Sequence, residues 1–228
     1  MLIDAGTGLG DLPLNHMTGI RHIFLTHSHM DHIVGLPLLA DSMFGVHDEP
    51  IMVYAQEATI EAIKKHVFNW VIWPDFSELP TPESPSINFK VMKPGEKVVI
   101  RSREIEMIEV NHTVPGVAYC VSTRRANVAF SGDTTTNDNL WDVLNGYETI
   151  DLLFVESAFS NSDIEISKLS KHYCPKLLGE DIQKLRHRPD VWLTHFKPGD
   201  EELIYDECVK AMPDFNVHHL KGGEVFRF

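Results

Sequence analysis

Residues 27 to 32 read His-Ser-His-Met-Asp-His, which puts three imidazoles and a carboxylate into six positions. The run sits between Ile23-Phe24-Leu25, which reads as a short buried strand, and Ile33, Leu36, Pro37, Leu38 and Leu39, which read as the buried face of a helix. Open α/β folds build their sites where a buried strand turns into a helix. Packing is a poor reason for such a cluster, because every polar group taken out of water needs a partner. Neutral imidazole and carboxylate are the ligands that zinc and similar metals accept. The alternative is a polar surface loop in a chain that has 13 histidines.

With 228 residues and 43% hydrophobic content, the chain can build a sizeable core in one large domain or two small ones. We read a single domain over 1–228. The net charge of −13, from 33 acidic and 20 basic residues, argues against an extended nucleic-acid surface. A small anionic substrate stays open, because bound dications can reverse the local field. No apolar run approaches the length of a membrane span, and Met1 to Gly6 lacks a basic signal-peptide start. Three widely spaced cysteines, Cys120, Cys174 and Cys208, suggest buried, reduced thiols and a cytoplasmic setting.

The pattern predicts strands over 2–5, 21–26 and 51–54 and helices over 31–44 and 57–68. Short strands over 88–91, 97–100, 104–110, 117–122 and 128–131, joined by tight turns such as Pro94-Gly95, read as antiparallel. Alternation then returns: helix 139–144, strand 151–155, helix 175–185, strand 191–194, helix 201–212 and final strands 217–220 and 225–228. The segment 70–86 carries Pro74, Pro80, Pro82 and Pro85, with aromatics clustered at its start, and is poor helix and poor central strand. It reads as a structured loop packed on the domain, or as a lid or a dimer contact.

Three further positions repeat the opening pattern of a strand followed by a ligand. Val110-Asn111-His112 ends one strand, Phe130-Ser131-Gly132-Asp133 ends another, and Leu193-Thr194-His195 echoes Leu25-Thr26-His27. Each alone is as well explained by a structural side chain. Together they gain weight, because strands of one sheet can bring their ends to one edge.

On these residues the chain resembles the metallo-β-lactamase-fold hydrolases, whose pattern is HxHxDH followed by a distant His, an Asp and a last His. His27, His29, Asp31, His32, His112, Asp133 and His195 fill the seven positions in order. The resemblance implies an α/β four-layer αββα sandwich. It also implies two divalent metal ions, zinc first, with manganese or iron also accepted by mixed His/Asp sites. By the same resemblance His27, His29 and His112 would hold one metal, Asp31, His32 and His195 the other, and Asp133 would bridge them. Two dications roughly 3.5–4 Å apart can share a water, lower its pKa and aim hydroxide at an ester. Family members usually carry about two further strands ahead of 2–5, so either the gene start is misplaced, or the true N-terminus was lost, or the first sheet is shortened. Its open edge would favour a homodimer.

The last third resembles the phosphodiesterase branch. Glu156-Ser157-Ala158-Phe159 follows a strand, Lys171-His172-Tyr173-Cys174-Pro175 opens a helix, and His195-Phe196-Lys197-Pro198 follows the last ligand strand. The ribonuclease members use a Glu and a His at matching places as a dyad, so Glu156 and His172 join Asp31 as the expected catalytic residues. An imidazole can protonate a departing alkoxide, with a carboxylate fixing its tautomer. The stretch from His27 to Ser42 is most similar to class II 3′,5′-cyclic-nucleotide phosphodiesterases, and Lys197 is a candidate phosphate contact. The implied substrate is a small phosphodiester, opened to a 5′-monophosphate. Alternatives are a ribonuclease Z-like tRNA 3′-processing nuclease, another ester or lactone hydrolase, or a non-enzymatic diiron sensor.

Overall fold

Strand β1 (Leu2–Ile3) stops after two residues, where Asp4 takes a left-handed backbone with φ 58°. Asp tolerates that conformation better than most residues, and the turn sends the chain into a 3₁₀ turn at Thr7–Asp11. The computed structural model describes residues 1–46 and 48–227, and the chain divides into two units, Met1–Lys93 and Pro94–Phe228.

In the first unit α1 (Leu14–Met17), β2 (His22–Phe24), α2 (Met30–Ile33), α3 (Gly35–Ser42), β3 (Ile51–Ala55) and α4 (Glu57–His66) follow β1. A small hairpin of β4 (Pro80–Thr81) and β5 (Ser84–Pro85) precedes β6 (Ile87–Val91). The main sheet has the order β1-β2-β3-β6, and every pairing is parallel. Parallel strands read as near-continuous apolar runs, and Ile23, Phe24 and Leu25 are fully buried. Thr59, Ile60 and Ile63 give α4 its buried face. Full burial of each isoleucine is worth about 1.5–3 kcal/mol. Lys64, Lys65 and His66 fill its last turn, where cations oppose the helix dipole favourably.

The helix predicted over 31–44 is two helices. Gly35 N–H donates to the Ala5 carbonyl at 2.7 Å rather than into a continuous helix. A Cβ at Gly35 would lie 2.8 Å from that oxygen and 2.9 Å from the Gly6 oxygen, so only glycine allows this approach. The strand near 88–91 also differs. β6 pairs parallel with β3 in the first sheet and does not join the antiparallel run that begins beyond Pro94-Gly95. The intervening 70–86 segment is an ordered loop. Asn69 Oδ1 accepts the Val71 and Ile72 N–H groups at 3.0 and 2.8 Å, Phe76 is buried, and Ile87 N–H donates to the Phe76 carbonyl. Its tip, Trp70-Val71-Ile72, is exposed.

The second unit runs β7 (Lys97–Ile100), β8 (Arg103–Val110), β9 (Gly116–Ser122), β10 (Asn127–Phe130), α5 (Asp138–Leu144) and β11 (Leu152–Glu156). It continues with α6 (Ile164–Ser170), α7 (Pro175–Asp181), β12 (Asp190–Thr194), α8 (Glu201–Ala211) and β13 (Asn216–His219). Its sheet has the order β13-β12-β11-β10-β9-β8-β7, antiparallel from β7 to β10 and parallel from β10 to β13. β8 and β10 both oppose β9, so β8, β10, β11 and β12 all end at the same edge. The core packs Ile108, Leu153, Val155 and Leu193 of the sheet with Leu140, Trp141, Leu178 and Ile204 of the helices.

α5 is capped by Asn137, whose Oδ1 accepts Leu140 N–H at 2.9 Å, and α7 opens on Pro175, whose missing N–H costs nothing there. The helix predicted over 175–185 ends at Asp181 and tightens into a 3₁₀ turn, Ile182–Lys184. No strand forms over 225–227, and Phe228, the last residue of that predicted strand, lies outside the described residues. α6 was not legible in the pattern, since Ile166 and Leu169 are exposed and only Ser167 is buried. Among the described residues no helix is long and apolar enough to cross a membrane.

Candidate metal centre and general-acid site

In the first unit the end of β2 delivers the polar cluster. Leu25 N–H still pairs with the Tyr54 carbonyl, and the next residues leave the sheet. Asp4 Oδ1 accepts the Thr26 backbone N–H at 2.7 Å, and Thr26 Oγ1 donates to Asp4 Oδ2 at 2.9 Å. With its one proton committed there, Thr26 Oγ1 accepts from His27 Nδ1 at 3.0 Å. His32 Nδ1–H donates to Asp4 Oδ2 at 2.7 Å. The His27 ring packs against those of His29 and His32, with centroids 4.6 and 4.2 Å apart. His27 and His32 are buried, while the Asp31 side chain, in the first turn of α2, is half-exposed.

In the second unit the sheet edge carries the rest. His112 follows β8, Asp133 follows β10 across Gly132 (φ 59°), Glu156 closes β11, and His195 (φ 65°) follows β12. His195 Nε2 lies 3.3 Å from Asp133 Oδ2. His112 Nδ1 faces the Lys171 carbonyl at 3.0 Å, and a carbonyl only accepts, so this nitrogen carries the proton. In their neutral form His27, His32 and His112 therefore spend Nδ1–H on a protein oxygen and keep Nε2 as the lone-pair atom. Neutral imidazoles locked in one tautomer, together with carboxylates, are the donor set a divalent ion requires, so the residues present fit such an ion.

Glu156 is 1% exposed, yet each carboxylate oxygen has two donors. Oε1 accepts from Thr134 N–H (3.0 Å) and His172 Nδ1 (2.7 Å); Oε2 accepts from Ala158 N–H (3.1 Å) and Tyr173 N–H (3.2 Å). Burial, reinforced by the Asp133 charge, pushes the Glu156 carboxyl well above the usual carboxylate range, while His195 and the backbone donors pull the other way. Asp133, Glu156 and His172 each offer an atom within 4.8 Å of the others. The His172 ring stacks on His195 at 5.2 Å and meets His112 edge-on at 4.9 Å. The corner that bears His172 is anchored behind by Asp181, whose Oδ2 accepts from Tyr173 Oη (2.6 Å) and Trp141 Nε1 (2.7 Å). Lys197 is exposed, and its Nζ lies 5.3 Å from the centre of the Phe159 ring.

The sequence-predicted residues thus fall into two groups: His27, His29, Asp31 and His32 cluster in the first unit, and His112, Asp133, Glu156, His172 and His195 in the second. Sequence reasoning missed Asp4, Lys171 and Phe159. Asp4 offered a usable signal, an acid that closes an apolar strand just as Asp133 does.

The model of the beta-lactamase superfamily domain matches residues 1–197. The chain belongs to the beta-lactamase superfamily. Its backbone is similar to the metallo-beta-lactamase fold protein YhfI from Bacillus subtilis, with a TM-score of 0.75 at 18% identity over 99% of this chain and 86% of that one. Among superfamily relatives, a probable 3′,5′-cyclic-nucleotide phosphodiesterase of Yersinia pestis is 24% identical over 207 residues, 80% of this chain and 59% of that protein. A ribonuclease Z of Pyrococcus abyssi is 32% identical over 119 residues, 52% of this chain and 36% of that protein. The chain therefore spans less than two thirds of either relative. The metallo-β-lactamase fold implies divalent metal ions, and the His/Asp clusters described above fit that implication.

Proposed function

We propose that this chain is a dinuclear-metal phosphodiesterase that opens 3′,5′-cyclic nucleotides to 5′-monophosphates. In this reading residues 1–228 act as one hydrolase domain in the cytoplasm. By the family pattern His27, His29 and His112 would hold one ion, Asp31, His32 and His195 the other, and Asp133 would contribute to both. When bound, two divalent ions lower the pKa of water and neutralise charge on a phosphodiester. The chain's own residues do the rest. Asp4, Thr26 and the Lys171 carbonyl hold the imidazoles in the right tautomer. His172, with Nδ1–H committed to Glu156, presents Nε2 to the leaving oxygen and gives up its proton there. Lys197 meets the phosphate as a point charge.

The observation that carries this reading is the buried Glu156–His172 pair within reach of Asp133. A structural metal site has no need of a protonated imidazole beside it, whereas expulsion of an alkoxide does. The net charge of −13 and the Yersinia pestis relative favour a small cyclic nucleotide. The Pyrococcus abyssi relative keeps a ribonuclease Z-like activity as the second reading. The test assays cyclic AMP, cyclic GMP, a tRNA precursor and bis(p-nitrophenyl) phosphate, with metal analysis on the same sample. Turnover of cyclic nucleotide to the 5′-monophosphate, abolished by Asp133→Ala, supports the proposal. Cleavage of the tRNA precursor alone moves the assignment to the second reading. A metal-loaded protein that hydrolyses none of them overturns both.

A further inference from the structure

Helix α6 ends in two nested hydrogen bonds that mark the residue after it as unusual. Lys171 N–H donates to the Lys168 carbonyl and His172 N–H donates to the Ser167 carbonyl at 3.0 Å. Together they make the double closure in which the residue after the helix turns left-handed. That residue is Lys171, at φ 53° and ψ 50°. Glycine is the usual occupant, because a Cβ is disfavoured there. A lysine kept in such a conformation calls for a reason in its surroundings. Here both ends of the residue engage one partner. The Lys171 carbonyl accepts from His112 Nδ1 at 3.0 Å, and Lys171 Nζ donates to the His112 carbonyl at 3.0 Å.

We propose that Lys171 is a positioning residue that clamps the metal ligand His112 by ring and backbone together and sets it against the adjacent acid, His172. The proposal rests on the preceding reading of His112 as a ligand and His172 as the acid. Its physical content is geometric. His112 lies two residues beyond the end of β8, next to Asn111, whose carbonyl accepts from Thr135 N–H at 3.0 Å. The Nζ bond adds a constraint on the His112 backbone itself, and the carbonyl bond fixes the ring and its tautomer. Because Lys171 precedes His172 directly, the bonds that place the ligand also place the acid, with the two rings 4.9 Å apart. The ammonium is the replaceable half of the clamp, since any residue at 171 still offers its carbonyl.

Zinc affinity, read by competition with a chromophoric chelator, tests this on the full chain, alongside melting of the metal-free protein. Lys171→Gly relieves the left-handed backbone and removes the ammonium. It is expected to melt no lower than wild type when metal-free, yet to bind the weaker zinc equivalent about 10–100-fold less tightly, the usual scale for loss of a ligand's supporting bond. Lys171→Arg, which can still reach the carbonyl, is expected within a few-fold of wild type. Lys171→Asn tolerates the left-handed backbone without the reach and should match Lys171→Gly, which guards against misfolding of the glycine variant. Wild-type affinity in both short variants, or no rescue by arginine, overturns the clamp. His112→Ala separates this outcome from failure of the underlying reading. If that variant loses zinc while Lys171→Gly keeps it, the clamp alone falls; if it binds as wild type, the ligand assignment falls and the clamp with it.

Discussion

The Asp4 carboxylate accepts the His32 Nδ1–H at 2.7 Å while it holds the Thr26 backbone N–H at the same distance. One acid at the end of an edge strand thus orients a candidate ligand and ties down the strand end that carries the others. Asp4→Ala is expected to weaken zinc binding about 10–100-fold. Asp4→Asn keeps one acceptor and tolerates φ 58°, so its loss should be smaller. Chelator competition on both variants checks the order.

The acid role proposed for His172 has a leaving-group signature. His172→Ala should slow cyclic-nucleotide hydrolysis about 10²–10⁴-fold, because an alkoxide leaves poorly without a proton. Bis(p-nitrophenyl) phosphate releases a stable phenolate, so its hydrolysis should change far less. Equal losses on the two substrates would remove His172 from the acid role.

Gly6 is pressed against the loop that bears the candidate ligands: a Cβ there would overlap the Asp31 carbonyl oxygen. Gly6→Ala must push α2 away from β1. A cost of about 1–3 kcal/mol is typical of such overpacking. At about 2–4 °C per kcal/mol for a chain of this size, thermal melting should fall by several degrees.

The three free thiols are buried. Burial pushes Cys208 up to about 12 and Cys120 up to about 11, from the ordinary thiol value of 9.0. Above that value the unfolded chain releases protons that the folded chain retains, so stability is intact below pH 9 and falls as pH rises toward the folded values. Each unit of pH within that window costs about 1.4 kcal/mol per thiol. Urea denaturation at pH 8 and pH 10 should show the drop, and Cys208→Ala, which leaves Cys120 in place, should roughly halve it. Native protein should also resist iodoacetamide at pH 8.

The strand-then-ligand pattern was legible because both halves of the signal are local: an apolar run, then a His or Asp at its end. His27, His112, Asp133, Glu156 and His195 do stand at or just beyond strand ends. The α/β class was legible for the same reason. What escaped depends on partners distant in sequence. Asp4 meets a histidine 28 residues away, and Lys171 meets one 59 residues away. Gly35 breaks a helix only because Ala5 takes its N–H. β6 looked antiparallel from its neighbouring turns, but its partner, β3, lies on the far side of α4 and the 70–86 loop.

The parallel pairings β10–β11–β12 align Phe130 with Phe154 and Glu156 with Thr194. Side chains alternate between faces, so a slip of one residue in either pairing would turn Glu156 away from His172 and shift Asp133 and His195 out of line. A mispaired chain would then lose function outright instead of acquiring a sloppy version of it. Turnover per mole of protein is consequently a gauge of how many molecules in a preparation have assembled this sheet correctly.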